Sequence, residues 1–407
     1  MAHFTKATSV HEWLNQRLAI DSVRKVLATE YWVPKNINFL WAMGMILAVT
    51  FGLLLISGIF LLMYYKPDTK LAFDSVNYTI MSQVGYGWLW RHVHAVAASV
   101  IFLIIYIHMF TGIYYGSYKK GREMIWISGM LLFVTFSGEA FSGYMLPWGQ
   151  MSYWAGTVIT DIFSLGSFHF DGLVEWIRGG FVPGDAFLNR FFMLHVVLLP
   201  LAVMALIVLH FATLRLPHVN NQDGKEIDFK EESEKYLSGN TKNSKVIRFQ
   251  FDFLSKDMVV LGFYLIFFFY LVFYHFEFAM DPVNFDPANG LKTPTHIYPE
   301  WYFLWTYEIL RPFPKNPGLI AFGFAQVIFI FLPFLDRSPN VGPANRRSAF
   351  KIWFWLLLIT MVVLTIMGKL PPEGVYKTYG PVPASIFILL WLALPIITKF
   401  EKPIGGK

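Results

Sequence analysis

The sequence predicts an all-α integral membrane protein with eight transmembrane helices, and three observations support this. The 407-residue chain is 55% hydrophobic and only 15% charged, whereas soluble domains carry about 25% charged residues. Eight apolar runs approach the length of about 20 residues that crosses a hydrocarbon core of about 30 Å. Lysine and arginine are concentrated in alternate connections, as in multi-pass proteins. A large soluble α-protein with buried helices is the alternative, and the low charge content argues against it.

The eight runs fall into two groups of four on either side of a polar linker. We predict an N-terminal transmembrane domain over residues 1–215, a cytoplasmic linker over 216–256 and a C-terminal transmembrane domain over 257–407. The linker is the most polar stretch of the chain, as expected for a connection between two bundles. The predicted spans are residues 39–63, 89–115, 125–146, 191–214, 259–278, 319–335, 350–367 and 384–397.

The distribution of charge also predicts the orientation. One side of the predicted topology holds 23 of the 33 lysines and arginines, including those of both tails. The positive-inside rule places that side, and both termini, in the cytoplasm. The net charge of +6 therefore reports orientation and does not indicate nucleic acid binding. Residues 1–34 contain no apolar core, so no cleavable signal is predicted, and residues 13–31 are predicted to form an amphipathic helix on the membrane surface.

Four histidines predict a cofactor inside the N-terminal bundle. His94 and His108 lie in the second predicted span, and His195 and His210 lie in the fourth, which runs parallel to the second. Spacings of 14 and 15 residues place the two histidines of each helix within about 40° and 60° of one face, about 21–22 Å apart. Facing helices would then offer two bis-histidine sites for haem iron. The alternative is four separate histidines, each hydrogen-bonded to a neighbour, which leaves the matched spacing and depth unexplained.

Three further residues fit such sites. Gly44 and Gly58, also 14 residues apart, would leave room for a flat macrocycle, although glycine in membrane helices also serves close packing. Arg91 would pair with a haem propionate, or else extend its charged end to the membrane interface.

The chain contains no cysteine, which excludes thiolate ligation of iron–sulfur clusters and covalently attached c-type haem.

A second candidate site lies in the loop after the fifth span, at Pro299-Glu300-Trp301-Tyr302. A carboxyl group among aromatic residues at the membrane edge should have a raised pKa, because desolvation disfavours its charged form. Such a group can accept a proton from a quinol as it is oxidised. The alternative is a glutamate that merely lies in an interfacial aromatic belt.

Several longer motifs accompany these residues. Residues 85–88 (Gly-Tyr-Gly-Trp) precede Arg91 and His94, residues 143–152 (Gly-Tyr-Met-Leu-Pro-Trp-Gly-Gln-Met-Ser) end the third span, and residues 220–221 (Asn-Asn) follow the fourth. With the Pro-Glu-Trp-Tyr motif, they resemble cytochrome b of cytochrome bc complexes, and the resemblance extends over nearly the whole chain.

The resemblance implies a role for each candidate residue. His94 and His195 would ligate the lower-potential haem near the outer face, and His108 and His210 the higher-potential haem near the cytoplasm. Glu300 and Tyr302 would be catalytic in quinol oxidation. The remaining implied contacts are Pro299, Trp301, Gly143 and Met151 at the quinol oxidation site, and Asp257, Arg215 and His218 at the quinone reduction site. Arg215 stands where mitochondrial members have a quinone-contacting histidine, and His218 is the candidate substitute.

The same resemblance implies the function and the partners. The chain would be the catalytic subunit of a quinol–cytochrome c reductase in a bacterial inner membrane, with two non-covalent haems b. It would oxidise menaquinol or ubiquinol on the outer side and reduce quinone near the cytoplasmic side, and so contribute to the proton gradient. The implied partners are a Rieske-type iron–sulfur protein, a c-type cytochrome, membrane lipid and a second copy of the complex.

Two other classes of protein remain as alternatives at this stage. A dihaem membrane anchor of a hydrogenase or formate dehydrogenase would also place histidines in two spans, but it would lack the Pro-Glu-Trp-Tyr site. A secondary transporter with a histidine proton relay would bind no haem. Transporters of that kind are often built from inverted repeats and broken helices, and no internal repeat is apparent in this sequence.

Overall fold

Eight membrane-crossing helices form the body of the protein. The computed structural model describes residues 8–18, 20–24, 31–164 and 170–402. Within these residues, eight helices are long and apolar enough to cross a membrane, which confirms the predicted fold class. We number them in chain order: α1 (Phe39–Leu62), α2 (Gly87–Tyr115), α3 (Glu123–Met145), α4 (Asp185–Arg215), α5 (Leu254–Tyr274), α6 (Lys315–Leu335), α7 (Ser348–Lys369) and α8 (Gly374–Lys399).

Two helices begin six or more residues before the predicted spans, for local reasons. Helix α4 begins at Asp185, because the amphipathic turns Asp185–Met193 continue into the apolar part through a π-helical turn, Leu194–Leu198. This turn contains His195, and π-helical turns are often found at functional sites. Helix α8 begins ten residues before the predicted run, because the short helix Gly374–Tyr379 leads directly into Pro381–Lys399.

Short elements occupy the connections. Strand β1 (Trp32–Pro34) pairs antiparallel with strand β2 (Val246–Arg248), with Val33 opposite Ile247, and so ties the segment before α1 to the linker. The predicted surface helix over residues 13–31 is described only in part, as Val10–Leu18 and Ile20–Arg24; residues 19 and 25–30 lie outside the described residues. The other short helices are Ala72–Asp74, Ser75–Gln83, Gln150–Asp161, Ile162–Ser164, Asp171–Arg178, Phe229–Leu237, Phe249–Phe253, Phe276–Ala279, Pro282–Phe285, Trp301–Phe303, Leu304–Leu310 and Ala344–Arg346.

The packing brings the two halves of the chain together. Helix α1 packs along α2, α3 packs along α4, and α5 packs against α2. Helix Leu304–Leu310, which lies in a predicted loop, is largely buried and packs against α7. We call the end of the bundle that carries residues 216–253 the linker side, and the end that carries residues 275–314 the loop side. The division into domains at residues 215 and 256 stays a prediction.

A buried ionic network joins the two halves on the linker side. Asp336 accepts two hydrogen bonds of 2.9 Å from the Arg347 guanidinium and one of 2.5 Å from the Tyr118 hydroxyl, and its carboxylate lies 3.0 Å from Lys119 Nζ. Arg347 also donates to Glu401 at 2.9 Å. The network contains two carboxylates and two cations, so its charges balance inside the fold.

Candidate functional site

On the loop side, α2 and α4 bring His94 and His195 together. Their ring centres are 6.1 Å apart, and the ring planes are nearly perpendicular, at 83°. A metal ion bound by two imidazole nitrogens at about 2 Å each separates the ring centres by roughly 6 Å. The observed spacing therefore fits two imidazoles that would hold one metal ion between them. On the linker side, His108 and His210 lie close enough to interact electrostatically.

Hydrogen bonds determine which ring nitrogen of His94 and of His195 is free to bind a metal ion. Ser57 donates its hydroxyl to the Leu53 carbonyl at 2.6 Å, which leaves its oxygen to accept from His94 Nδ1 at 2.9 Å. The Glu139 carbonyl accepts from His195 Nδ1 at 3.0 Å. When Nδ1 carries the proton, Nε2 is the nitrogen with a free lone pair. A hydrogen bond from the second ring nitrogen is the usual companion of metal ligation by histidine.

The same arrangement recurs for one histidine on the linker side. Ser128 donates to the Ile125 carbonyl at 3.0 Å, and its oxygen lies 2.9 Å from His210 Nδ1. Ser57 and Ser128 were not predicted from the sequence. Each directly precedes, in α1 or α3, a glycine that faces a histidine.

Four glycines of α1 and α3 lie against the four imidazoles. A Cβ atom added at any of these glycines would meet a histidine ring before any other group, and at the closest of them no side chain fits. Each glycine therefore leaves a space without a side chain beside one imidazole. We call this space, which can admit part of a flat group, a cradle. The pairs are Gly44 with His108, Gly58 with His94, Gly129 with His210 and Gly143 with His195.

Gly129 is the member of this set that was not predicted from the sequence. It stands 14 residues before Gly143 in α3, which is the same interval that separates Gly44 from Gly58 in α1. This repeated interval was the signal in the sequence that indicates Gly129, because 14 residues also separate the two histidines of α2. Gly143, predicted at the quinol oxidation site, instead lines the cavity of His94 and His195.

Arg91 lines the cavity of His94 and His195 as well. Its Nε is buried and has no hydrogen-bond partner among the described residues, and its one hydrogen bond, to Asn77 Oδ1, is long at 3.5 Å. An unpaired donor of a buried guanidinium is costly, so an anion such as a carboxylate of a bound group would stabilise it. His92 turns away from this cavity and stacks on Phe276 with ring centres 3.6 Å apart.

The donor set and the cradles fit haem. Two neutral imidazoles face each other at the correct spacing, glycines replace side chains beside the rings, and a buried guanidinium can bind a carboxylate. The three observations are independent, because they concern the ligation of the iron, the shape of the space beside the rings and the charge of the bound group.

A second cavity, of about 560 Å³, lies on the loop side between α3, helix Gln150–Asp161 and the segment around Glu300. This volume lies in the usual range of small-molecule sites. Its lining is largely apolar. Of the predicted residues, Pro299, Glu300 and Tyr302 line it, and Trp301 and Met151 do not. Trp301 instead donates its Nε1 to Ser99 Oγ at 2.8 Å.

Glu300 is the acidic group of this cavity. Burial raises the pKa of its carboxyl to about 7, with a further contribution from Asp281, while a hydrogen bond from Tyr144 and the charge of Lys369 oppose the rise. Tyr302 stacks on Phe102 with ring centres 4.0 Å apart, and Phe102 lines the cavity of the histidine pair. At this point two stacked aromatic rings separate the two cavities, and Ala140 lines both of them.

On the linker side, Arg215 and His218 come together around Tyr31. The Arg215 guanidinium lies 3.9 Å from the centre of the Tyr31 ring, and the His218 ring stacks on the same tyrosine at 5.2 Å. Arg215 Nη1 and His218 Nδ1 are buried and have no hydrogen-bond partner among the described residues. Asp257 is buried in the first turn of α5, and within the described part of the chain it forms no hydrogen bond with either residue. Tyr31 was not predicted from the sequence.

Comparisons with known proteins agree over nearly the whole chain. The family model described as cytochrome b/b6/petB matches residues 28–217, and the model described as cytochrome b(C-terminal)/b6/petD matches residues 287–389. The chain is 42% identical to a cytochrome b of Rickettsia bellii (strain RML369-C) over 402 residues, which cover 98% of this chain and 96% of the relative. It is 39% identical to a cytochrome b of Rhodospirillum rubrum over 394 residues, covering 96% and 93%. A solved structure described as a hyperthermophilic respiratory complex III matches with a TM-score of 0.89 and 38% identity, covering 96% of this chain and 99% of that one.

Proposed function

This chain belongs to the cytochrome b family, and we propose that it holds two haems b between α2 and α4 and carries out both quinone reactions of its complex. As a member of that family it is an integral membrane protein of electron transport and the core subunit of quinol–cytochrome c oxidoreductase, respiratory complex III. The proposal concerns the number of haems, the side on which each reaction occurs and the residues that act.

One observation carries the proposal: the rings of His94 and His195 are 6.1 Å apart, and Gly58 and Gly143 lie against them. We infer that these two histidines hold one haem on the loop side. His108 and His210, with Gly44 and Gly129, would hold the second on the linker side. Bound there, haem supplies single-electron transfer across the low-dielectric layer. Arg91 would pair with a propionate of the loop-side group.

Quinol oxidation is assigned to the cavity around Glu300. A carboxyl group with a pKa of about 7 is ionised in a large fraction of molecules at neutral pH, so it can accept a proton there and release it again. The hydrogen bond from Tyr144 orients the carboxyl toward the cavity, and the apolar lining fits a quinol ring and tail. A Rieske-type iron–sulfur partner would take one electron of each quinol, and a c-type cytochrome would receive it.

Quinone reduction is assigned to the linker side. Arg215 Nη1 and His218 Nδ1 are buried atoms without partners among the described residues, and they can bond the carbonyl oxygens of a quinone. Asp257, buried in the first turn of α5, is the candidate proton donor. The loop side would then face outward and the linker side the cytoplasm, in a bacterial inner membrane with both termini cytoplasmic. Menaquinone and ubiquinone both suit these groups, and the family implies a homodimeric complex.

The decisive experiment is a haem assay of the purified complex with a redox titration. We expect two non-covalent b haems per chain that titrate at separate potentials, together with quinol-dependent reduction of cytochrome c. His94→Ala and His108→Ala should each remove one haem, and His92→Ala should retain both, because His92 faces away from the cavity. Folded protein without haem would overturn the proposed haem sites. Two haems without quinol turnover would overturn the proposed quinol oxidation site.

A further inference from the structure

Glu139 is an acidic side chain inside helix α3, at a depth where charged groups are costly and rare. Its side chain is 17% exposed, and it lines the cavity of His94 and His195. The roles proposed above do not use this carboxyl group. An ionisable residue at such a position calls for a functional reason, and its neighbours supply one.

The carboxyl group lies beside the ring nitrogen of His195 that points away from the histidine pair. Glu139 Oε1 is 3.1 Å from His195 Nδ1, and the carbonyl oxygen of the same residue is 3.0 Å from it. One N–H therefore faces two acceptors of a single residue. The other carboxyl oxygen, Oε2, is buried and has no hydrogen-bond partner in the described part of the chain.

The linker-side site lacks this carboxyl group. Helix α3 repeats its contacts after 14 residues: Gly129 and Gly143 face one histidine each, and Ile125 stands 14 residues before Glu139. At His210 the Ile125 carbonyl accepts from Ser128, whose oxygen lies 2.9 Å from Nδ1, whereas the Glu139 carbonyl accepts directly from Nδ1 of His195. The backbone carbonyl is thus linked to the imidazole at both sites, directly or through Ser128, whereas the acidic side chain is present at only one.

We propose that Glu139 is a positioning residue that acts through His195 to lower the reduction potential of the loop-side haem relative to the linker-side haem. The inference rests on the proposed function, because it requires a haem at the His94–His195 pair. A carboxylate that accepts the second N–H of a ligating histidine makes that histidine a more basic ligand. A more electron-donating ligand favours ferric iron. The consequence is a greater driving force for electron transfer from the loop side to the linker side.

The test is a redox titration of the whole complex carrying Glu139→Gln, at one fixed pH. Gln keeps the size of the side chain and removes the carboxyl group. We expect at least a tenfold shift of the ferrous–ferric equilibrium toward ferrous at one haem, which is about 59 mV for a one-electron couple, and no shift at the other. The haem that shifts is identified as the one that His94→Ala removes. Thr135→Val, one turn earlier in α3, is the matched control and should shift neither haem, because the Thr135 hydroxyl bonds only its own helix.

Two further results complete the test. Glu139→Asp keeps the carboxyl group on a shorter side chain. The potential of the loop-side haem in this variant should stay closer to that of the unmodified protein than it does in Glu139→Gln. The inference is overturned if Glu139→Gln shifts neither haem, shifts both equally, or removes the loop-side haem altogether. In each of these cases the unmodified protein still binds two haems, so the proposed function stands. An unmodified protein without haem would overturn the proposed function itself.

Discussion

Gly143 of α3 and His195 of α4 approach so closely that no side chain fits between them. A Cβ on Gly143 would lie 2.8 Å from Nδ1 and 3.0 Å from Nε2 of the imidazole. At Gly58 the closest approach, to His94, is 3.2 Å, and at Gly44 the closest approach, to His108, is 3.9 Å. The four cradles therefore differ in tightness, and their tolerance of substitution should differ in the same order.

Replacing Gly143 with Ala should displace His195 and remove the loop-side haem, whereas Gly44→Ala should keep both haems because a contact of 3.9 Å is an ordinary one. The measurement is the haem content per chain with the reduced-minus-oxidised spectrum. Gly138→Ala in the same helix is the matched control, since its Cβ would meet only Leu199, at 3.8 Å. Retention of two haems with unchanged spectra in Gly143→Ala would contradict the assignment of this cradle.

Glu300→Gln should slow quinol oxidation by about 10²-fold, the lower end of the range for loss of a general base. The proton acceptor is the ionised form of the Glu300 carboxyl group. The ionised fraction increases as the pH rises through the pKa of about 7. Steady-state turnover should therefore increase about tenfold per pH unit below 7 and level off above it. The variant should lose this dependence while it retains both haems. Glu277→Gln, an exposed glutamate in the same connection between α5 and α6, is the control and should keep the pH profile.

The features predictable from the sequence are those that depend on local pattern. Eight spans were predicted, because apolar length alone determines whether a segment can cross a membrane. The grouping of His94 with His195 was also predicted. Successive spans cross the membrane in opposite directions, so the second and fourth are parallel, and the position of each histidine along its helix places both at a similar depth. The structure brings these two residues together as that reasoning expected.

Other features depend on contacts between segments distant in sequence. Residues 299–302 are contiguous, but only part of the motif faces the cavity, because Trp301 is drawn toward Ser99 of α2. Strands β1 and β2 are separated by more than 200 residues, and neither has a sequence pattern of its own. The Tyr118–Asp336 hydrogen bond likewise joins two connections, one after α2 and one after α6, whose mutual position is set by the packing of the bundle.

Replacing Arg215 with Met should slow quinone reduction on the linker side, because it removes the unpaired donor Nη1 and keeps much of the apolar contact with Tyr31. Quinol oxidation on the loop side should continue until the haems are reduced, so both should stay reduced longer after a pulse of quinol. Rapid-mixing spectroscopy of haem reoxidation measures this. Arg248→Met, which loses a longer contact of 5.6 Å with the Tyr236 ring, should reoxidise at the normal rate. Equal rates in all three proteins would remove Arg215 from the reduction site.

The buried network on the linker side predicts a difference between two adjacent arginines. Arg347 is fully buried between Asp336 and Glu401, so Arg347→Ala leaves both carboxylates without their main partner and should cost about 3–5 kcal/mol of stability. Arg346 pairs with Asp223 at 3.0 Å, but both side chains are about 40% exposed, so Arg346→Ala should cost about 1 kcal/mol or less.

The same network predicts how stability depends on pH. Burial raises the pKa of Asp336, but the hydrogen bonds and charge of Arg347 outweigh it and hold that pKa below its ordinary value. The stability due to this pair should accordingly be present at neutral pH and decrease as the pH falls toward the lowered pKa. Thermal unfolding of the detergent-solubilised complex, at neutral and acidic pH, compares the variants. Equal destabilisation by the two substitutions would show that the buried network contributes no more stability than the exposed pair.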